Sequence, residues 1–219
     1  MTTTPHDIGL PPNHHADHPG FSGVAGLIAA LTFTVGRTGH ADLAIRLTGT
    51  GAGDDVVDVG CGAGVAVRRA AASGASTVVG VDPSTEMLRV ARATVRASRR
   101  FGELRGAEAT VDVAQGTAED LPLPDGAASV VWSLATVHHW RDLGAGLAEV
   151  RRVLRPGGRF LVIERHSPPG AKGNASHGWT DDQAERFAEM CRDAGFTGVE
   201  VGEHRHGRRE VLTVFAGEP

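Results

Sequence analysis

Residues 56–64 read VVDVGCGAG and decide the fold, because a strand-forming run passes there directly into a loop with glycine at every second position. The mostly apolar run before Gly60 suits a buried parallel strand. The small residues from Val65 to Ser73 follow at once and predict a helix. Glycines let the backbone approach a ligand, and the free N–H groups of a first helical turn favour a negatively charged group. The stretch therefore predicts the start of a βαβ unit with a nucleotide-type cofactor site.

A second strand closes this unit and carries a carboxylate. Residues 77–81 read TVVGV and are followed by Asp82, 22 residues after Gly60. A carboxylate at the end of the second strand of a βαβ unit is placed to accept hydrogen bonds from ribose hydroxyls. The glycine spacing, Gly60-x-Gly62-x-Gly64, is one residue shorter than the fingerprint of dinucleotide-binding proteins. The spacing therefore disfavours a nicotinamide-dependent oxidoreductase.

Two further motifs extend this pattern along the chain. In order, the motifs are VVDVGCGAG (56–64), VVGVDPSTEML (78–88), QGTAEDLPLPDGAASVVWS (115–133) and EVRRVLRPGGRFLVIE (149–164). Together they make the sequence resemble the class I S-adenosylmethionine-dependent methyltransferases, in the small-molecule branch typified by ubiquinone and menaquinone biosynthesis enzymes. The resemblance implies an α/β fold with a doubly wound, Rossmann-like sheet of about seven strands and helices on both faces. The sheet is expected to be mostly parallel, with an antiparallel C-terminal hairpin at one edge.

The resemblance also implies a cofactor site. S-adenosylmethionine is the expected cofactor and S-adenosylhomocysteine the product, with the glycine loop on the amino-acid tail, Asp82 on the ribose and residues 116–120 beside the adenine. Many relatives carry Asp where this chain has Thr117, and a neutral hydroxyl makes a weaker hydrogen bond than a carboxylate. The predicted cofactor contacts are Asp58, Gly60, Cys61, Gly62, Gly64, Asp82, Pro83, Thr117, Ala118, Glu119 and Ser133. Cys61 has no base nearby in the sequence, so we expect it to pack beside the ligand rather than act as a nucleophile.

The methyl acceptor is expected beyond the strand at residues 128–134, because ligands of open α/β sheets sit outside the carboxyl ends of strands. His138 and His139 follow that strand. Histidine suits a general base near neutral pH, which makes both side chains catalytic candidates. Related enzymes with different substrates also carry HHW-like sequences there, which favours a positioning or packing role instead. The sequence leaves both interpretations open, since the acceptor decides whether a base is needed.

Two polar segments are expected near the acceptor. Residues 165–179 read RHSPPGAKGNASHGW, and long polar loops between core elements commonly bind ligands. His166, His177 and Trp179 are the predicted substrate contacts, with disorder of the loop as the alternative. Near the N-terminus stand His14, His15 and His18, whose spacing is unlike that of a structural zinc site and which no thiolates accompany. We therefore predict no metal site, and a solvated or substrate-capping segment there.

These assignments give a single methyltransferase domain after a flexible N-terminal arm. The helices predicted before the first strand either lie over the cofactor or pack on the sheet edge. The expected parts are the arm (1–20) and the domain (21–219), which comprises cap helices (21–50), the cofactor-binding core (51–164), the substrate loop (165–179) and a C-terminal helix with strands (180–219).

Net charge, hydropathy and cysteine content limit the kinds of partner and location that we expect. A net charge of −4 gives no reason to expect nucleic acid, and no apolar run approaches the length of a membrane span. The two cysteines provide no disulfide framework, and the first residues lack the pattern of a signal peptide, so a cytoplasmic location is expected. We expect a monomer or homodimer that transfers a methyl group to a small organic acceptor by in-line displacement. A non-catalytic S-adenosylmethionine-binding module of the same fold is the alternative.

Overall fold

Seven strands form one mixed sheet in the part of the chain that the computed structural model describes, residues 10–17, 38–206 and 209–219. The strands are β1 (Asp55–Val59), β2 (Thr77–Asp82), β3 (Thr110–Gln115), β4 (Ala128–Leu134), β5 (Leu154–Arg165), β6 (Thr197–His206) and β7 (Arg209–Gly217). Their order in the sheet is β3-β2-β1-β4-β5-β7-β6. β1 to β5 run parallel, whereas β7 lies antiparallel to both β5 and β6. The predicted doubly wound sheet with an antiparallel C-terminal hairpin is confirmed.

Helices cover both faces of this sheet. They are α1 (Thr38–Thr48), α2 (Val65–Ala72), α3 (Thr85–Phe101), α4 (Leu143–Val153) and α5 (Asp181–Asp193). Most buried apolar side chains of the first three helices belong to one cluster, and those of the last two helices belong to a second cluster. Among the described helices, none combines the length and the apolar character needed to cross a bilayer.

The centre of the sheet positions the site. β1 lies between β2 and β4, and Val57 pairs with both Val79 and Val131. Such a strand is buried on both faces, which accounts for its run of valines. Because β1, β2, β4 and β5 are parallel, their carboxyl ends meet at one edge, where the loops that follow them lie side by side.

The junction between α4 and β5 has no separate loop. β5 begins at Leu154, directly after α4, and pairs with Ala128. The register shifts between Ala128 and Val130, and Gly157 has φ +75°. The Arg-Pro-Gly-Gly segment, residues 155–158, therefore forms an irregular start of the strand.

Side chains cap the starts of two helices. Ser84 accepts a hydrogen bond from the amide of Met87 at the start of α3. Thr180 and Gln183 form a reciprocal capping box at the start of α5. Residues 21–37 of the predicted cap-helix region lie outside the described residues, as does His18.

Candidate functional site

The loop after β1 holds three glycines in the left-handed region. The φ angles are +80° at Gly60, +51° at Gly62 and +77° at Gly64, values that side chains rarely tolerate. A side chain at Gly62 would meet no atom within 4 Å, so this face of the loop is open to a ligand. Because α2 begins directly after Gly64, the N–H groups of its first turn lie beside that face.

Thr136, which the sequence analysis did not single out, closes the other side of the loop. A Cβ atom at Gly60 would lie 2.6 Å from Cγ2 of Thr136. The Thr136 hydroxyl donates to the Val59 carbonyl at 3.0 Å and lies 2.5 Å from Oγ of Ser133. These contacts join the carboxyl end of β1 to that of β4. The sequence signal for Thr136 is its position just after β4, at the edge where ligands bind.

We expect Gly60→Ala to lower the free energy of unfolding by about 2–4 kcal/mol, because a strained φ and a steric clash add together. Gly62→Ala is the matched control, since it meets the same backbone penalty with no atom in the way and should cost only about 1–2 kcal/mol. Denaturant unfolding of both variants measures the difference. Equal losses would show that the contact with Thr136 does not constrain the loop.

Asp82 ties the glycine loop to the next helix. Its carboxylate accepts the Gly62 amide on Oδ2 and the Ser84 amide on Oδ1, both at 2.9 Å. The residue is 8% exposed and stands at the carboxyl end of β2. A carboxylate offers about four acceptor positions, so hydroxyl groups can bind Asp82 beside these amides. The neighbouring Asp58 is buried in β1, and Pro83 is exposed beside Asp82.

Cys61 is a packing residue of this loop. Its side chain occupies space left by Gly80, where an added Cβ would lie 2.7 Å from the sulfur. Burial, and then the charges of Asp58 and Asp82, raise the pKa of the thiol well above its ordinary value. The thiolate that a nucleophile requires is therefore strongly disfavoured.

The segment predicted to border an adenine lies one loop further along the sheet edge. Thr117 and Asp120 pair through two backbone hydrogen bonds of 3.3 Å, with Ala118 buried between them. Glu119 turns towards the start of α4, where its carboxylate accepts the amide of Arg141 at 2.7 Å. Glu119 thus stabilises the approach to α4, while the adenine contacts of this segment remain a prediction.

Histidines from three separate segments gather beyond β4. We call His15, His138, His139 and His177 the histidine cluster. The ring centroids of His138 and His139 are 4.2 Å apart, and those of His138 and His177 are 5.6 Å apart. The ring of His15 stacks on that of His177 at 4.2 Å with an interplanar angle of 8°. The fold therefore assembles a group of imidazoles at the edge where an acceptor was expected.

Glu164, also missed from sequence, holds His138 in place. The side chain of Glu164 is fully buried near the end of β5, and its Oε2 lies 2.9 Å from Nδ1 of His138. Burial is the largest influence on the pKa of Glu164 and raises it, but the charge and hydrogen bonds of His138 together lower it further. Glu164 is thus a buried carboxylate paired with a buried imidazole.

Residues 10–17 cover the histidine cluster. The indole N–H of Trp179 donates to the Pro12 carbonyl at 2.7 Å, and the amide of His15 donates to the His138 carbonyl at 3.0 Å. This portion of the expected N-terminal arm is therefore packed against the sheet edge.

The three residues predicted to contact substrate occupy different surroundings. Nε2 of His166 lies 3.4 Å from Oδ1 of Asp181, and the His166 side chain is partly exposed. Trp179 is fully buried and packs against Phe187, with ring centroids 5.1 Å apart. His177 alone of the three joins the histidine cluster, so it is the one best placed to meet an acceptor.

The protonation state of His139 determines how well it could act as the predicted general base. Burial, and then the charge of His138, lower the pKa of His139 to about 4. Its imidazole is therefore neutral at pH 7, but such a group is a weak proton acceptor. For His139, the arrangement favours binding and orientation by a neutral imidazole over strong base catalysis.

Comparison with known proteins agrees with this geometry. Residues 57–162 match the family model described as "methyltransferase domain". The ubiquinone/menaquinone biosynthesis C-methyltransferase UbiE of Rubrivivax gelatinosus is 38% identical over 125 residues, which make up 57% of this chain and 44% of that protein. The matched part thus spans less than half the length of this curated relative.

Solved structures share the fold over most of the chain. A S-adenosylmethionine-dependent methyltransferase from Aquifex aeolicus superposes with a TM-score of 0.69 at 20% identity, covering 88% of this chain and 98% of that one. The [4+2]-cyclase SpnF gives a TM-score of 0.67 at 22% identity, covering 83% and 81%. With the glycine loop, Asp82 and the sheet order, these matches support a class I S-adenosylmethionine-dependent methyltransferase fold, with the match to the methyltransferase-domain family lying in residues 57–162.

Proposed function

We propose that the protein transfers a methyl group from S-adenosylmethionine to a small organic acceptor by in-line displacement. The observation that carries this proposal is the open face of the loop at Gly62, set beside the carboxylate of Asp82 at the ends of β1 and β2. The histidine cluster lies beyond the neighbouring strand β4, which suits an acceptor that meets the cofactor at the same edge.

The residues around the loop fit the cofactor. Asp82 would accept the ribose hydroxyls, the glycine loop would receive the amino-acid tail, and Thr117 and Ala118 would border the adenine. When bound, S-adenosylmethionine supplies a methyl group on a sulfonium, which is already activated for attack. The protein then has to hold the acceptor in line with that methyl group, and such positioning contributes roughly 7–11 kcal/mol in favourable cases.

A small acceptor is favoured by the cover over the histidine cluster. Residues 10–17 are hydrogen-bonded to Trp179 and His138, which restricts the space above the cluster. The net charge of −4 supplies no electrostatic attraction for nucleic acid. We also propose that the protein is cytoplasmic and works as a monomer or homodimer, with no membrane partner.

A binding module without turnover is the second candidate. The similarity to the [4+2]-cyclase SpnF favours considering it, since that protein has the same fold under a name that describes a different reaction. A cofactor pocket alone therefore does not decide between the two functions.

A turnover assay separates the two candidates. Protein is incubated with S-adenosylmethionine labelled in the methyl group and a panel of phenols, amines, carboxylic acids and activated carbon acids. We expect label transfer to one class, with S-adenosylhomocysteine released in equal amount, and loss of transfer in Asp82→Ala. Cofactor binding by calorimetry with no turnover on any class would favour the binding module.

A further inference from the structure

We propose that His138, His139 and His177 form a site for a transition-metal dication, with zinc as the best-matched ion. Each offers one nitrogen, and these three nitrogens lie within 4.8 Å of one another. Zinc–nitrogen bonds of about 2.0–2.1 Å in tetrahedral geometry place ligand nitrogens about 3.3 Å apart. Small side-chain movements would therefore let the three histidines coordinate one ion.

Hydrogen bonds at the far side of two rings direct the ligand atoms. Nδ1 of His138 lies 2.9 Å from the Glu164 carboxylate, and Nδ1 of His139 lies 3.3 Å from the His15 carbonyl. Both partners are acceptors, so each Nδ1 carries the hydrogen and Nε2 is left as the ligand atom. An imidazole that donates its second N–H to a carboxylate or a carbonyl is the usual arrangement around a bound metal.

The third ligand comes from the long loop after β5. The ring of His177 lies parallel to that of His15, which belongs to the segment covering the cluster. Stacking fixes the plane of the His177 ring and lowers the entropy that coordination would cost. Residues 10–17 thus support two ligands, through the His15 carbonyl and through its ring.

His14 lies nearby but is committed to other contacts. Its Nε2 is 2.7 Å from the Ser176 carbonyl and therefore donates, while its Nδ1 is 3.1 Å from the amide nitrogen of Gln183 and therefore accepts. Both ring nitrogens are engaged by protein groups, so His14 is a structural residue beside the site.

Three imidazole ligands determine which metal ion fits the site and leave a coordination position for another ligand. Imidazole suits zinc, copper, iron and nickel, whereas magnesium and calcium prefer oxygen ligands. Three histidines leave a tetrahedral zinc ion one open position, as in catalytic zinc sites. An oxygen or nitrogen atom of the methyl acceptor would occupy that position, and this last step rests on the proposed function.

Metal binding by the full-length protein tests the site directly. Chelator-stripped protein is titrated with zinc by calorimetry and with cobalt(II) by visible absorption. We expect one ion per chain at micromolar affinity or better, with the intense visible bands of four-coordinate cobalt(II). His177→Ala and His139→Ala should each weaken binding at least tenfold, and Glu164→Gln should weaken it about tenfold by loosening His138.

Two further variants make the assignment specific. His204→Ala removes a partly exposed histidine of β6 and should leave binding unchanged. The described residues also bring His166, Glu203 and Glu210 together, a mostly exposed group that His166→Ala would disrupt. Absence of zinc uptake by the wild type, binding that survives His177→Ala in folded protein, or loss of binding in His166→Ala would overturn the proposal.

The outcomes for metal and for methyl transfer are independent. Zinc uptake is measured without S-adenosylmethionine, so the site stands even if no acceptor is turned over. Conversely, methyl transfer by protein that binds no zinc would contradict the proposed metal site and leave the proposed function intact.

Discussion

Asp82→Ala is expected to weaken the binding of S-adenosylmethionine by at least about a hundredfold. Each hydrogen bond to a charged group contributes about 1.5–3 kcal/mol, and loss of two ribose contacts removes at least about 3 kcal/mol, where 1.4 kcal/mol is a factor of ten. The variant also removes the acceptor that holds the amides of Gly62 and Ser84. Both effects act on the ligand site. We therefore expect the loss of binding free energy to exceed the loss of the free energy of unfolding.

Calorimetry on the folded variant measures this effect, and Asp112→Ala is the matched control. Asp112 is an exposed carboxylate in the neighbouring strand β3, so its removal should leave the affinity within about twofold. Asp82→Asn should fall between wild type and Asp82→Ala, because the amide oxygen still accepts but carries no charge. An unchanged affinity in Asp82→Ala would remove the main support for the cofactor site.

The part of the site nearest to the cofactor could be predicted because its signals are local. The alternation of glycines at positions 60, 62 and 64 encodes three positive φ angles within one loop. The distance to Asp82 follows from the length of a βαβ unit. Strand order and the C-terminal hairpin came from the family resemblance, which carries tertiary information that periodicity does not contain.

The rest depends on contacts between distant residues. His15 and His177 are separated by 162 positions yet stack in the fold, a contact that no local pattern in the sequence indicates. The contact between Glu164 and His138 joins residues 26 positions apart, and nothing local in the sequence indicates it. Trp179 was assigned to substrate from its loop position, while its large apolar surface places it in the core.

His138→Ala is expected to lower the free energy of unfolding by about 3–5 kcal/mol. Its loss leaves the fully buried carboxylate of Glu164 without its partner, and an uncompensated buried charge is strongly destabilising. The pKa of Glu164 is lowered in the folded protein, so the contribution of the pair is present above the ordinary value of 4.5 and is lost as the pH falls through the lowered pKa. Denaturant unfolding at pH 7 with a chelator therefore measures the full effect without bound metal.

The double variant His138→Leu with Glu164→Met distinguishes a buried charge from lost packing. Replacing both partners of a buried hydrogen bond by apolar residues of similar volume is often nearly neutral, so the double variant should recover most of the stability that His138→Ala loses. If Glu164 merely fills space, the double variant will be as unstable as the sum of its single changes. A recovery would show that the unpartnered carboxylate of Glu164, rather than lost packing, accounts for the instability of His138→Ala. The hydrogen bond that stabilises the pair would then be the same one that fixes the position of His138 in the histidine cluster.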